Sequence, residues 1–408
     1  MEYRTVRETA EKWRISERLV QKYCAQGRIE GARKFGVSWG IPSNAVRPED
    51  PRKIKTPEGS ETAMASAEEN ETGNRFHGCE KLMPLMSADF KPGHCREYIR
   101  AMEEGSIRGI ASAEYYYFSG QPEKAIQQAA KFLDSPDQEI RLSAGLIVAY
   151  ANLSVGRIGH ARHALDELKR TLAEDGGASE ETDVAGAFAA AVASVLLHLP
   201  LPDGLPPSDR FLPVLPPGLQ AFALYVQAHY LYLQEMYEKS LGVTEAAFSI
   251  GAQKYPIPAI YLHLVAVMDH ISLRDKENAE KHLLAAWEMA RPDDLIEAFG
   301  EHHGLLGGML ESVIKTDWPD DFKRIIDITY RFSAGWRRIH NPDTGEDVAD
   351  NLTTTEFAAA MLAARGWTNQ EIGEQMNISS NTVKRHLSVA MQKLGINRRQ
   401  DLKQYMLR

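Results

Sequence analysis

Cysteine is scarce in this chain. Three thiols, Cys24, Cys79 and Cys95, among 408 residues exclude a disulfide framework and fit a reducing compartment. Cys79 and Cys95 stand too far apart for the usual metal-ligand pair. Long apolar runs are also missing. The apolar runs present, such as 146–150, fall far short of the roughly 20 residues that span a bilayer, so no membrane partner is expected. The opening residues, Met-Glu-Tyr-Arg-Thr, have no apolar core behind them, and the expected location is the cytoplasm. There is no glycine-rich phosphate loop or Walker motif, so the usual nucleotide chemistries have no seat. His160 and His163 lie one helical turn apart, but no carboxylate or cysteine completes a metal set, and they read as surface histidines. His302 and His303, being adjacent, do not share a helix face. The expectation is a protein that is not an enzyme and uses neither metal nor cofactor.

What is present is an ordinary globular composition, 43% hydrophobic and 25% charged, over a length that suggests two to four domains. The net charge of −9 is unevenly spread. Residues 1–55 carry 13 Lys/Arg against 7 Asp/Glu, or +6, and residues 351–408 carry 8 against 4, or +4. The middle therefore carries −9 − 10 = −19. Basic ends on an acidic body suit two phosphate-facing modules on a carrier that itself repels nucleic acid.

The organisation follows the same division. Residues 53–74 have almost no large apolar side chains and read as a flexible linker. From about 95 to 335 the apolar positions recur three and four apart, so the body is read as all-α. Four segments share one pattern, an aromatic or aliphatic helix, a short turn, then a Glu/Lys-Ala-rich helix: 115–129, 150–164, 230–244 and 269–283. Gly120 to Gly156 is 36 residues and Met236 to Asp275 is 39. This period resembles tetratricopeptide-type hairpins, which must stack to cover their apolar faces; an irregular helical bundle is the other reading of the same pattern. The acidic, aromatic-rich body holds Tyr115, Tyr116, Tyr117, Tyr225, Tyr230, Tyr232 and Trp287, which either pack as core or line a groove for a peptide or small-molecule effector. Three consecutive rings sweep about 200° of a helix, so at least one of Tyr115–Tyr117 should escape the packed stripe.

The sharpest pattern lies in 352–402. Thr353 with Glu356, and Thr368 with Glu371, form two capping boxes that start two short helices, the first closed by Gly366. Asn377-Ile378 makes a tight turn and Ser379 can cap a third helix. Val383, Leu387, Ala390, Met391 and Leu394 then form one buried stripe, leaving Asn381, Lys384, Arg385, Ser388 and Gln392 outward, the side-chain types that reach phosphates and base edges. Gly395 closes that helix, and a fourth is expected over 398–407. Two short helices joined by a tight turn, the second basic outside, make a helix-turn-helix. The segment resembles the LuxR/GerE-type DNA-binding domain, through Thr368-Asn369-Gln370-Glu371-Ile372, Ile378-Ser379, Thr382-Val383-Lys384, His386-Leu387 and Lys393-Leu394-Gly395-Ile396. The resemblance implies a four-helix domain that dimerises partly through its last helix, with bases read by Lys384, Arg385 and Ser388 and further contacts from Thr368, Asn369, Ser380, Asn381, Thr382, His386 and Lys393. Thr355 departs from the family, which commonly has Arg there. The missing Walker motif separates the chain from the large ATP-dependent LuxR-type regulators, and no phosphoacceptor receiver domain is recognisable.

At the other end, Thr5 and Glu8 form a capping box for a first helix to Trp13. After a turn at Arg14-Ile15, Ser16 caps a second helix with Leu19, Val20, Tyr23 and Cys24 inward and Arg18, Gln21 and Lys22 outward. Strand-like residues Ile29, Phe35, Trp39 and Ile41 bracket a turn at Gly36-Val37, with Arg33 and Lys34 on that hairpin. This resembles the small winged helix-turn-helix of the excisionase/MerR type, although Arg14 stands where Gly is usual and Val37 where a basic wing tip is common. The resemblance implies DNA contacts from Arg14, Arg18, Gln21, Lys22, Arg33 and Lys34; a protein-binding module is the other reading.

The expected architecture is mainly all-α. It comprises a winged helix-turn-helix over 1–50, a linker over 51–75, a helical-repeat body over 76–340, a linker over 341–351 and a four-helix DNA-binding domain over 352–408. The expected function is sequence-specific transcription regulation, with double-stranded DNA, a second copy of the chain, an effector at the body and RNA polymerase as partners. The alternative is a helical-repeat adaptor whose terminal modules dock partner proteins.

Overall fold

The structure, a computed structural model, describes residues 3–13, 20, 21, 23, 24, 29, 31–35, 38–43, 45, 79–174, 187–192, 212–340 and 352–406. Both expected linkers lie outside these residues. The chain divides into two compact units, Met1–Thr72 and Gly73–Arg408. It is mainly helical, with one three-stranded sheet among the described residues. No helix described is long and apolar enough to cross a membrane.

The first unit is a short helix on a small sheet. Strand β1 (Tyr3–Thr5) leads into helix α1 (Val6–Trp13), and β2 (Arg33–Phe35) and β3 (Ser38–Pro42) form the expected hairpin. β3 is central and antiparallel to both neighbours, with Arg4 opposite Ile41 and Lys34 opposite Trp39. The Thr5–Glu8 capping box is present: Thr5 N donates to Glu8 Oε2 at 2.8 Å and Glu8 N to Thr5 Oγ1 at 3.3 Å. Ala10, Trp13, Val20, Tyr23, Cys24, Ile29 and Ile41 make the core. Three-residue β1 carries no alternating pattern, and sequence reading assigned no strand there.

In the second unit the four anticipated turns are four helical hairpins. They pair α3 (Ser106–Phe118) with α4 (Pro122–Ala129), α5 (Gln138–Ser154) with α6 (Ile158–Glu174), α7 (Pro217–Leu233) with α8 (Tyr237–Ser249), and α9 (Pro256–Ser272) with α10 (Lys276–Ala290); α2 (Cys95–Ala101) precedes them. One device closes all four. In the first, Gly120 N donates to Tyr117 O and Gln121 N to Tyr116 O, the paired bonds of a Schellman turn. The same pair recurs at Gly156/Arg157, Glu235/Met236 and Arg274/Asp275. The left-handed residue is Gly in the first two and Glu235 (φ 58°) and Arg274 (φ 64°) in the others. The latter two accept a steric cost that glycine avoids. The sequence repeat is thus a repeat of turn geometry.

Beyond the hairpins come α11 (Glu297–His302), a bend through Gly304–Gly308 and the long α12 (Pro319–His340). One apolar core runs from Cys79 to Met406. Tyr115, Tyr117, Tyr225, Tyr232 and Trp287 are core residues. Tyr116, the ring left over from the Tyr115–Tyr117 run, is half-buried with the Lys124 ammonium 5.8 Å above it, and Tyr230 is half-buried too. All three cysteines are buried and stand outside any disulfide, His160 and His163 are exposed, and the described residues contain no cluster of metal-ligating type.

Candidate DNA-binding face

The C-terminal helices form because their caps are written locally. Helices α13 (Thr354–Ala364) and α14 (Asn369–Met376) each begin with a complete capping box, Thr353 with Glu356 and Thr368 with Glu371. Asn377 ends α14 in the left-handed conformation (φ 54°), where Asn is tolerated better than most residues. Ser379 Oγ then accepts from Thr382 N at 3.1 Å and caps α15 (Ser380–Lys393). Bonds from Gly395 N to Gln392 O and from Ile396 N to Met391 O close α15, the Schellman pair seen in the body. The expected fourth helix over 398–407 is instead a 3-10 turn, Arg399–Leu402, running into a short helix, α16 (Lys403–Met406).

Packing decides which face of α15 is free. Val383, Leu387 and Ala390 are buried, while Ser380, Asn381, Lys384, Arg385, Ser388 and Gln392 are exposed. Neither Lys384 nor Arg385 makes an ion pair among the described residues. The surface therefore offers two cations and several neutral donors and acceptors along one side of one helix, which suits phosphate and base-edge contacts.

Other expected contact residues are partly committed to the domain itself. Thr382 is half-buried, and its hydroxyl lies 2.8 Å from Ser379 Oγ. Asn369 Oδ1 accepts from Arg399 Nη1 at 2.6 Å, and Thr368 serves as the cap of α14. His386 is half-buried, and burial together with the Arg385 charge lowers its pKa, which favours the neutral ring. Lys393 departs most from expectation: its ammonium donates to the buried Glu356 at 2.7 Å, strutting α15 against α13. Burial alone would raise the Glu356 pKa, but the bonds from Lys393 and Thr353 outweigh it and hold the carboxyl below its ordinary value.

The opposite side of the domain is seated on the body. Phe357 lies against Gly304, Leu362 against Gly307 and Met376 against Gly308. Arg274 pairs with Glu371, Lys276 donates to Glu374 O at 2.6 Å, Arg365 bonds the Tyr232 hydroxyl and Gln375 Nε2 lies 2.8 Å from Met309 Sδ. Sequence reading missed this seam. Its residues are ordinary helix and loop types until tertiary contact gives them partners.

At the N-terminal end, Gln21, Arg33 and Lys34 are exposed. Arg14, Arg18 and Lys22 lie outside the described residues.

The chain matches no curated protein and no solved structure. Residues 350–406 match the family model GerE, bacterial regulatory proteins, luxR family, so this end of the chain carries that family's helix-turn-helix domain.

Proposed function

We propose that the chain is a sequence-specific transcription regulator that works by binding rather than catalysis and reads its operator with α15. The observation that carries this reading is the uncommitted polar and basic face Asn381, Lys384, Arg385, Ser388 and Gln392, on a helix whose other side is locked into the core. In this reading the tetratricopeptide-like body is the sensor, the domain dimerises through α16, where Tyr405 is exposed, and the first unit is a second DNA-binding module presenting Arg33 and Lys34. The test is to replace Lys384 and Arg385 singly by Ala and measure affinity for operator and for random DNA. A base-reading side chain should cost about 1–3 kcal/mol, more on operator than on random sequence. Equal losses on both DNAs would reduce the residue to a phosphate contact, and no loss on either would refute the assignment of this face. A chain that binds no DNA at any salt concentration would leave the adaptor reading standing.

A further inference from the structure

The body contains a cavity of about 40 Å³ whose walls come from α3, α5, α7, α9 and residues 187–192. At about 10–15 Å³ for each water-sized occupant, it admits a guest of roughly three heavy atoms. Its lining is aromatic and aliphatic, including Tyr117, Phe118, Tyr150, Phe222 and Tyr261, with one charged group, Glu301. The rings are locked edge to face: Tyr261 lies 6.2 Å from Phe118 and 5.3 Å from Phe222. Glu301 is fixed by the Tyr117 hydroxyl on Oε1 and the Tyr261 hydroxyl, at 2.9 Å, on Oε2.

The charge inventory around the cavity is one-sided. Glu297, one turn earlier on α11, is fully buried; its Oε1 accepts from Ser154 at 2.6 Å, and its Oε2 has no hydrogen-bond partner. Arg331 acts on Glu297 through space, but its own hydrogen bond goes to Gly120 O at 3.4 Å. Two acid side chains, the half-buried Glu301 on the cavity wall and the buried Glu297 one turn away, thus have little positive charge to offset them. Burial pushes the pKa of both acids up, and the neighbouring Glu301 raises Glu297 further, the response of an acid pair short of a countercharge, so that each ionises fully only when a cation is at hand. A carboxylate among aromatic faces is the chemistry that holds an alkylammonium: the charge pairs with the acid, and the carbons and the cation lie against π faces.

We propose that this cavity binds a small organic ammonium ion through Glu301, and that it is the effector site of the regulator. Glu301 is followed directly by His302, whose Nε2 meets the Tyr225 hydroxyl at 2.9 Å, and then by Gly304, Gly307 and Gly308, against which α13 and α14 are seated. Binding therefore occurs on the helix that leads directly into the seam. The regulatory half of the proposal rests on the reading of the body as a sensor; the binding half does not.

The test is calorimetry and thermal melting of the full chain with ethylammonium chloride, against sodium chloride at equal ionic strength, 1-propanol as neutral isostere and propionate as anion. Saturable binding of ethylammonium alone is expected, weakened about tenfold or more in Glu301→Gln. Equal binding of 1-propanol, unchanged affinity in Glu301→Gln, or no binding of ethylammonium would each overturn the site. Should Glu301→Gln fail to fold, the comparison of ethylammonium with propanol on the wild-type chain decides alone. A gel shift with and without saturating ethylammonium tests the regulatory half: binding to the cavity with unchanged DNA affinity would overturn it. DNA affinity in the Lys384 and Arg385 variants reports separately on the helix-turn-helix.

Discussion

Replacing Gly308 by Ala puts one methyl group into the seam between the body and the DNA-binding domain, and two costs add. Gly308 has φ +81°, where an L side chain costs about 1–2 kcal/mol. The new Cβ would stand 2.7 Å from Met376 Cγ and 3.4 Å from its Sδ, too close without movement. Overpacking of this kind costs about 1–3 kcal/mol, and methionine, being flexible, should bring it to the lower end. The sum is about 2–4 kcal/mol. Gly366 supplies the control, because its φ is +84° but a Cβ there meets nothing within 4 Å. Gly366→Ala should therefore show only the backbone part, about 1–2 kcal/mol. The assay is chemical denaturation of both variants, with hydrogen exchange followed in peptides covering 304–314 and 369–378. Gly308→Ala should exchange faster in both segments, and Gly366→Ala should leave 304–314 unchanged. Equal destabilisation by the two variants, with no local change in exchange, would refute the claim that the seam is tightly packed.

Three other expectations follow. Ser379→Ala removes the cap that accepts from Thr382 N and should destabilise the domain by about 1 kcal/mol in denaturant, with a matching loss of DNA affinity only where α15 frays. The pKa of Glu356 in the folded chain lies below the ordinary 4.5, so its contribution is complete above that value and is lost as pH falls through the folded pKa; Lys393→Met should flatten this acid-side loss in a pH series of denaturation midpoints. Trp287→Ala empties the centre of the body, where the ring is 1% exposed and packs edge-on at 5.3 Å from Phe299; a loss of about 3–5 kcal/mol is expected by calorimetry, and a loss below 1 would mean that the body is loosely packed there.

What the sequence showed of this chain is what neighbours in sequence decide. Capping boxes join residues three apart, and Thr353–Glu356 and Thr368–Glu371 were both legible and both formed. Hairpin turns were legible through the pattern that all four segments share, an aromatic or aliphatic helix followed by a Glu/Lys-Ala-rich one, with a glycine marking two of them. Strand β1 was not legible, because three residues carry no pattern and its pairing with β3 spans the unit. Three acids that face the interior were missed for a related reason. Glu114, Glu297 and Glu301 sit at helical positions that look like solvated faces, and only distant partners give them roles: Leu85 N and Met86 N for Glu114, Ser154 for Glu297, Tyr117 and Tyr261 for Glu301. Attention in that segment fell on His302 and His303 as possible ligands, whereas each is held in the core, His302 by Tyr225 and the Ala298 carbonyl, His303 by Glu311 at 2.9 Å.

If the body is the sensor proposed above, the position of the seam constrains how it would govern DNA binding. The body grips Phe357, Leu362, Arg365, Gln375 and Met376, which belong to α13 and α14. The outward residues of α15 remain exposed with the domain seated. Under the proposed function, masking of α15 is therefore not the mechanism available in this arrangement, and control from the body would act through the pose of the domain. The contacts that set that pose are of two kinds. The apolar ones at Gly304, Gly307 and Gly308 tolerate little displacement, because glycine leaves the facing rings and methyl groups close to backbone. The polar ones, Arg274 with Glu371 and Lys276 with Glu374 O, are more exposed and weaker. A change that shifts the glycine bend by even an ångström must therefore carry the domain with it, while the polar ties can break and re-form at little cost.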